Sequence, residues 1–228
     1  MKKINYVFKI KKFLKNNTDK VSEELSLYLV SKILPYYKKN DKAHNVDHAY
    51  YVLKRSFNFA KTLNEKLDYN IITTLAIFHD VKYHISMEHH EELAANDLRN
   101  DNTLKKFFTL QQLKNMYKTL KYHDSKQNQK ELDIYAKILR TADCDISLKT
   151  LLKRMHQFRL IYAKNMSLKE KIDDSYNYFF ILFDKDGLSI NKTCFYDKDF
   201  EKMLKKTKQF IKNKKYFIKY YKKVNGLK

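Results

Sequence analysis

His44-Asn45-Val46-Asp47-His48 opens, and Phe78-His79-Asp80 closes, the stretch on which the reading of this chain turns. Between them lie apolar-periodic segments with neither glycine nor proline, the pattern of two packed helices. The first, Val46 to Asn64, carries Val52-Leu53, Phe57, Phe59-Ala60 and Leu63. The second, Asn70 to Tyr83, is apolar almost all round at Ile71-Ile72 and Leu75-Ala76-Ile77-Phe78, which predicts a central place in a bundle. A histidine on one helix, a His-Asp doublet ending the next and a later aspartate can converge on one metal ion. Ala142-Asp143-Cys144-Asp145 supplies the last member, through Asp143 or, after a two-residue slip, Asp145.

Outward from this stretch the chain keeps to helices. Upstream, Ile4 to Asn16 reads as a short basic amphipathic helix that docks on the domain, and Asp19 to Tyr37 as a second helix that Pro35 kinks or ends near Leu34. Downstream, helices are expected from His89, from Thr109-Leu110-Gln111-Gln112 to Tyr122, from Lys130 to Cys144 and from Leu148 to Lys164. Another runs from Ser167-Leu168-Lys169-Glu170 to Phe183, with Asp184-Lys185-Asp186-Gly187 as its stop. Thr109 and Ser167 each stand three residues before Gln or Glu, the form of a capping box. A final helix from Asp197 to Val224 has apolar residues at near-heptad spacing. It suits either a coiled-coil or homodimer element, or packing on its own domain. The expected architecture is all-α: a single domain over residues 1–228, with a core at 19–185, an N-terminal basic helix within 1–18 and a lysine-rich C-terminal helix at 197–228.

Composition agrees. Hydrophobic residues make up 43% of the 228, with 18 Tyr and 15 Phe to fill a core, while two Gly and one Pro leave little turn chemistry for a β fold. The formal charge is +21, from 47 basic residues of which only Arg55, Arg99, Arg140, Arg154 and Arg159 are arginine. Such a surface attracts nucleic acid, nucleotides or acidic membranes, but lysine on helix faces also accounts for it, since phosphate readers favour the arginine fork. Cys144 and Cys194 form neither a disulfide framework nor a Cys-x-x-Cys zinc site and suit a reducing cytoplasm. No segment approaches the ~20 apolar residues of a membrane span.

The chemistry lies in the histidines and aspartates. Divalent transition metals take imidazole nitrogen and carboxylate oxygen at ~2 Å, and water bound to them is acidified towards a pKa of ~7. His44, His48, His79, Asp80, His90, His123 and Asp143 are the candidates, with His84, His89 and His156 read as surface residues. Lys82, Lys121, Arg140 and Arg159 are the cations nearest to them in sequence, suited to a substrate phosphate.

His48, Phe78-His79-Asp80 and Ala142-Asp143 resemble the H…HD…D signature of the HD-domain superfamily of metal-dependent phosphohydrolases, over residues 40–165. The resemblance implies a helical bundle in which His48, His79, Asp80 and Asp143 hold a divalent metal: Mn, Mg, Fe or Zn. His44-Asn45-Val46-Asp47-His48-Ala49 looks like the opening motif of the cyclic-nucleotide phosphodiesterase branch, which implies His44 as the acid for the leaving oxygen. Phe78-His79-Asp80-Val81-Lys82-Tyr83 with Glu91-Glu92-Leu93-Ala94-Ala95 resembles small bacterial HD phosphohydrolases. His90 and His123 fall where two-metal HD enzymes place further ligands, but the later Gly-Tyr-Pro of those enzymes is absent. The expected function is hydrolysis of a phosphoester or phosphoanhydride in a nucleotide or related phosphorylated small molecule, with Asp80 and His44 catalytic and one or two ions bound. Two rivals share the residues: an HD-fold di-iron oxygenase using four histidines and two aspartates, and a non-catalytic module that binds nucleic acid through its basic surface.

Overall fold

A computed structural model describes residues 5–125, 129–185 and 187–228; Ile4, part of the 124–129 loop and Asp186 therefore lie outside the described residues. The fold is all-α, and the described residues contain no strand. The chain forms two compact units, Met1–Asp143 and Cys144–Lys228.

In the first unit the helices are α1 (Tyr6–Lys15), α2 (Glu23–Tyr28), α3 (Val46–Thr62), α4 (Tyr69–Phe78), α5 (His90–Asn100), α6 (Leu110–Lys121) and α7 (Ile134–Asp143). Every residue of α4 from Ile71 to Phe78 is buried, so the helix without a polar face does lie at the centre of its unit. It packs on α3, α6 and α7, while α5 lies along α6. The amphipathic α1 buries Ile10 and Leu14 and sets the Phe13 ring 4.9 Å from Phe57 of α3.

The second helical segment changes type at Leu34, next to Pro35. After α2 the chain continues as a π-helix (Leu29–Ile33) and then a 3-10 helix (Leu34–Lys39) with Pro35 in its first turn. The missing proline N–H is tolerated there because an opening turn has no partner for it. The change of helix type carries Tyr37 into the core, where it is fully buried.

The second unit comprises α8 (Leu148–Tyr162), α9 (Leu168–Phe183), the short α10 (Leu188–Lys192), α11 (Lys198–Lys212) and α12 (Lys214–Asn225). Both expected capping boxes are formed, at Thr109 and at Ser167. The single long C-terminal helix is not. Asn213 adopts an extended backbone (φ −138°, ψ 92°) and caps α12 by accepting from the Tyr216 N–H. Phe200, Met203, Phe210, Phe217 and Tyr221, the near-heptad stripe, are buried in this unit's own core against Phe179 and Phe183 of α9. Among the described residues no helix is long and apolar enough to cross a membrane.

Candidate metal centre

Five helix ends of the first unit bring His48, His79, Asp80, His90, His123 and Asp143 to one place. His48 stands in the first turn of α3, where the Asn45 side chain caps the helix by accepting from the Asp47 and His48 N–H groups. His79 and Asp80 follow α4 directly, His90 begins α5, His123 follows α6 and Asp143 ends α7. Beneath the His79-Asp80 turn lies Tyr37. Its hydroxyl donates to the Ile77 carbonyl (3.1 Å) and accepts from the Asp80 N–H (3.3 Å). Burial, reinforced by the charge of Asp80, pushes the Tyr37 phenol well above its usual range, so it stays a donor. Arg55 of α3 donates to the Ala142 carbonyl at 2.5 Å and braces the residue before Asp143.

Asp80 is the centre of the cluster. Its Oδ2 lies 3.3 Å from His48 Nε2 and 3.2 Å from His79 Nε2, and its Oδ1 lies 3.3 Å from His90 Nε2. One carboxylate thus divides its two oxygens between two groups of imidazoles. Asp143 Oδ1 is 2.9 Å from His48 Nε2 and 3.8 Å from His79 Nε2. Three of the rings are anchored alike: the Nδ1 of His79, His90 and His123 hydrogen-bonds the carbonyl three residues earlier, of Ala76, Met87 and Leu120, at 2.7 to 2.9 Å. That contact fixes the protonated nitrogen as Nδ1 and leaves Nε2 as the ligand atom, the usual outer support of a metal-binding histidine.

The electrostatics follow from the packing. Burial alone would raise the Asp80 carboxyl, but the charge of His79, together with hydrogen bonds from His48 and His90, holds it well below the usual carboxylate range. Burial would lower His90, yet Asp80 outweighs it and pushes the imidazole up to about 9. His79 is fully buried, and its Nε2 makes no hydrogen bond although a carboxylate oxygen lies within reach. A desolvated imidazole nitrogen aimed at a carboxylate without bonding it fits a site shaped for a cation. The donors His48, His79 and Asp80, and again Asp80, His90 and His123, lie within 4.8 Å of one another. Imidazole nitrogen and carboxylate oxygen without thiolate is a donor set that suits Mn, Fe or Zn. These buried groups could hold a metal ion.

Family models, curated proteins and solved structures give no match to the chain. The centre is therefore read from its own geometry.

The remaining candidates divide. His44 sits beside the cluster, half-buried, with its ring 6.1 Å from that of His48 and stacked on Tyr83 at 3.6 Å. Its Nδ1 lies 3.0 Å from Asp41 Oδ1. Burial would raise the Asp41 carboxyl, but the hydrogen bond and charge of His44 lower it below its ordinary value. Of the proposed phosphate-binding cations, Lys82 pairs with Asp97 and Lys121 with Glu92, each at 2.5 Å. Arg140 is only 1% exposed and donates to the Tyr122 and Ser125 carbonyls at 3.0 and 2.7 Å, so it braces the segment that carries His123. Its side chain is too buried to face solvent. In the second unit, Asp145 pairs with Arg154 (3.2 Å) and Arg159 with Asp174 (2.7 Å). His89 is exposed and His84 half-buried. His156 departs from its expected place at the surface: it is buried beside Tyr221, whose hydroxyl lies 3.1 Å from its Nδ1.

Two further acidic groups belong to the cluster. Glu91 joins His90 and Asp124, and Asp124 joins His123 and Asp143, each set within ligand reach. A signal for Asp124 is present in the sequence, because His123-Asp124 repeats the doublet His79-Asp80. Tyr37, Asn40 and Asp41, which support the cluster from the upstream segment, carry no such signature.

Proposed function

We propose that the chain is a metal-dependent phosphohydrolase acting on a phosphoester or phosphoanhydride of a nucleotide or similar phosphorylated small molecule. One observation carries the reading: His48, His79, Asp80 and Asp143, which resemble the H…HD…D ligands of HD-domain phosphohydrolases, meet at one buried point. The divalent metal that these residues would hold supplies positive charge for the phosphoryl oxygens and acidifies water. Asp80, kept as a carboxylate by three imidazoles, orients the attacking water and takes up its proton. The water oxygen attacks phosphorus in line, and the bond to the leaving oxygen breaks. His44, with its Nδ1 on Asp41, donates a proton from Nε2 to that oxygen. His90 and His123, with Glu91 and Asp124, would hold a second ion, which would add positive charge beside the first.

The six residues His48, His79, Asp80, His90, His123 and Asp143 are four histidines and two aspartates, and their clustering also favours a second reading as a di-iron oxygenase.

Elemental analysis of the purified protein beside its Asp80→Ala variant, followed by a Mn²⁺-supplemented nucleotide screen, separates these readings. Near-stoichiometric metal, lost with Asp80, together with phosphate release supports the hydrolase. Two irons per chain with oxygen-dependent turnover moves the oxygenase ahead. Absence of metal in both proteins after reconstitution overturns both.

A further inference from the structure

Asn40 lies between the two halves of the proposed machinery, and its side-chain amide is fully used. The two Nδ2 protons go to the His44 carbonyl and the Asp80 carbonyl, each at 2.8 Å. Oδ1 takes the His84 N–H and faces the His84 Nδ1, both at 3.0 Å. The neighbouring Asp41 carboxylate then accepts from the Ala43 and His44 N–H groups and lies against the His44 ring. One amide therefore joins the backbone of the residue read as the acid, four positions on, to the backbone of the residue read as the central ligand, forty positions on. A side chain that only capped a turn would need one of these bonds. Bridging two carbonyls on separate segments fixes the distance between them, and proton transfer to a leaving oxygen is sensitive to displacements of about 1 Å.

We propose that Asn40 is a positioning residue for the acid step: it sets His44 at the correct distance from the Asp80 turn and does not itself touch substrate. The inference rests on the hydrolase reading, with His44 as acid. It makes a demand that a general structural role does not. A p-nitrophenolate leaves without a proton, whereas a methoxide needs one, so loss of the acid's placement must fall on the alkyl ester alone.

The test uses the full-length protein with Mn²⁺ and matched p-nitrophenyl and methyl esters of phosphate and of thymidine 5′-phosphate. Asn40→Asp is nearly isosteric and keeps the acceptor facing His84 but loses both donors; Asn40→Ala loses the whole bridge. Both variants should keep the wild-type metal content and stay within about threefold of wild type on the aryl esters, while methyl-ester turnover falls about 100-fold, the scale of a general acid's contribution. His44→Gln should show the same selective methyl-ester loss, and adding Asn40→Asp to it should cost nothing further on that ester. Equal loss on both ester types, or no loss in Asn40→Asp, overturns the positioning role. Selective loss in neither Asn40 nor His44 variants overturns the acid assignment as well. Failure of the metal-loaded wild type to cleave any of the four esters overturns the hydrolase reading itself, and this inference with it.

Discussion

At the scale of the residue, the centre is built from side chains held by backbone carbonyls, and substitutions should separate ligand from support. His123→Ala removes a donor that Asp80 and His90 share, but leaves His48, His79 and Asp143 in place. Elemental analysis should therefore show metal content falling from two ions to one if two are bound, whereas Asp80→Ala removes both. Tyr37→Phe tests support alone. It leaves the Ile77 carbonyl and the Asp80 N–H in the core without their partner, a cost of about 1–2 kcal/mol in chemical denaturation, with metal content retained. The clustered histidines and aspartates were legible in the sequence because their residue types are those a metal site would need and they lie at helix ends, which apolar periodicity locates. The supports were not. Tyr37 is one tyrosine among 18, and Asn40 stands in a polar stretch with its Asp80 partner forty residues away, while the bonds of Asp41 to Ala43 and His44 look like those of any loop aspartate. Arg140 was misread for a related reason: a cation near a predicted ligand resembles a phosphate group's partner until its burial is seen.

At the scale of the element, boundaries followed caps wherever a side chain could supply one. Asn45, Thr109, Ser167 and Asp197 each accept from a first-turn N–H. Asn213 does the same in the middle of what reads as one helix, because Lys212-Asn213-Lys214 keeps the apolar spacing while the asparagine competes for the backbone. Periodicity alone does not reveal that break. Gly187, ahead of α10, is a position where the need for glycine is steric. A Cβ there would stand 2.4 Å from the Leu182 carbonyl oxygen and 2.7 Å from the Phe183 nitrogen, and neither backbone atom can yield as a flexible side chain would. Gly187→Ala should cost about 2 kcal/mol or more in urea denaturation of the second unit. Asn45→Ala should cost about 1 kcal/mol and, because the lost cap bonds the His48 N–H itself, should also weaken metal retention.

At the scale of the whole molecule, the two units should respond to different solution variables, because their buried titratable groups differ. Buried imidazoles in the first unit face carboxylates, so a bound divalent ion stabilises it; at a hundredfold excess over Kd the gain is about 2.7 kcal/mol. In the second unit His156 is pushed below its ordinary value, first by burial and then by Lys171. A histidine depressed in the folded state binds fewer protons there than in the unfolded chain. The second unit should therefore lose stability as pH falls through the unfolded value near ~6.5, by at most about 1.4 kcal/mol at pH 5.5. Hydrogen exchange, read segment by segment and corrected for intrinsic rates, distinguishes the two. Chelation at pH 7.5 should speed exchange of the slowest amides in α3, α4 and α7 by about 100-fold and leave α9 and α12 unchanged. Lowering the pH to 5.5 with saturating metal should speed exchange in α9 and α12 by up to about tenfold, and the effect should vanish in His156→Gln. Equal acceleration of both units by chelation would mean that metal stabilises the chain as a whole, and would place the cooperative boundary somewhere other than between Asp143 and Cys144.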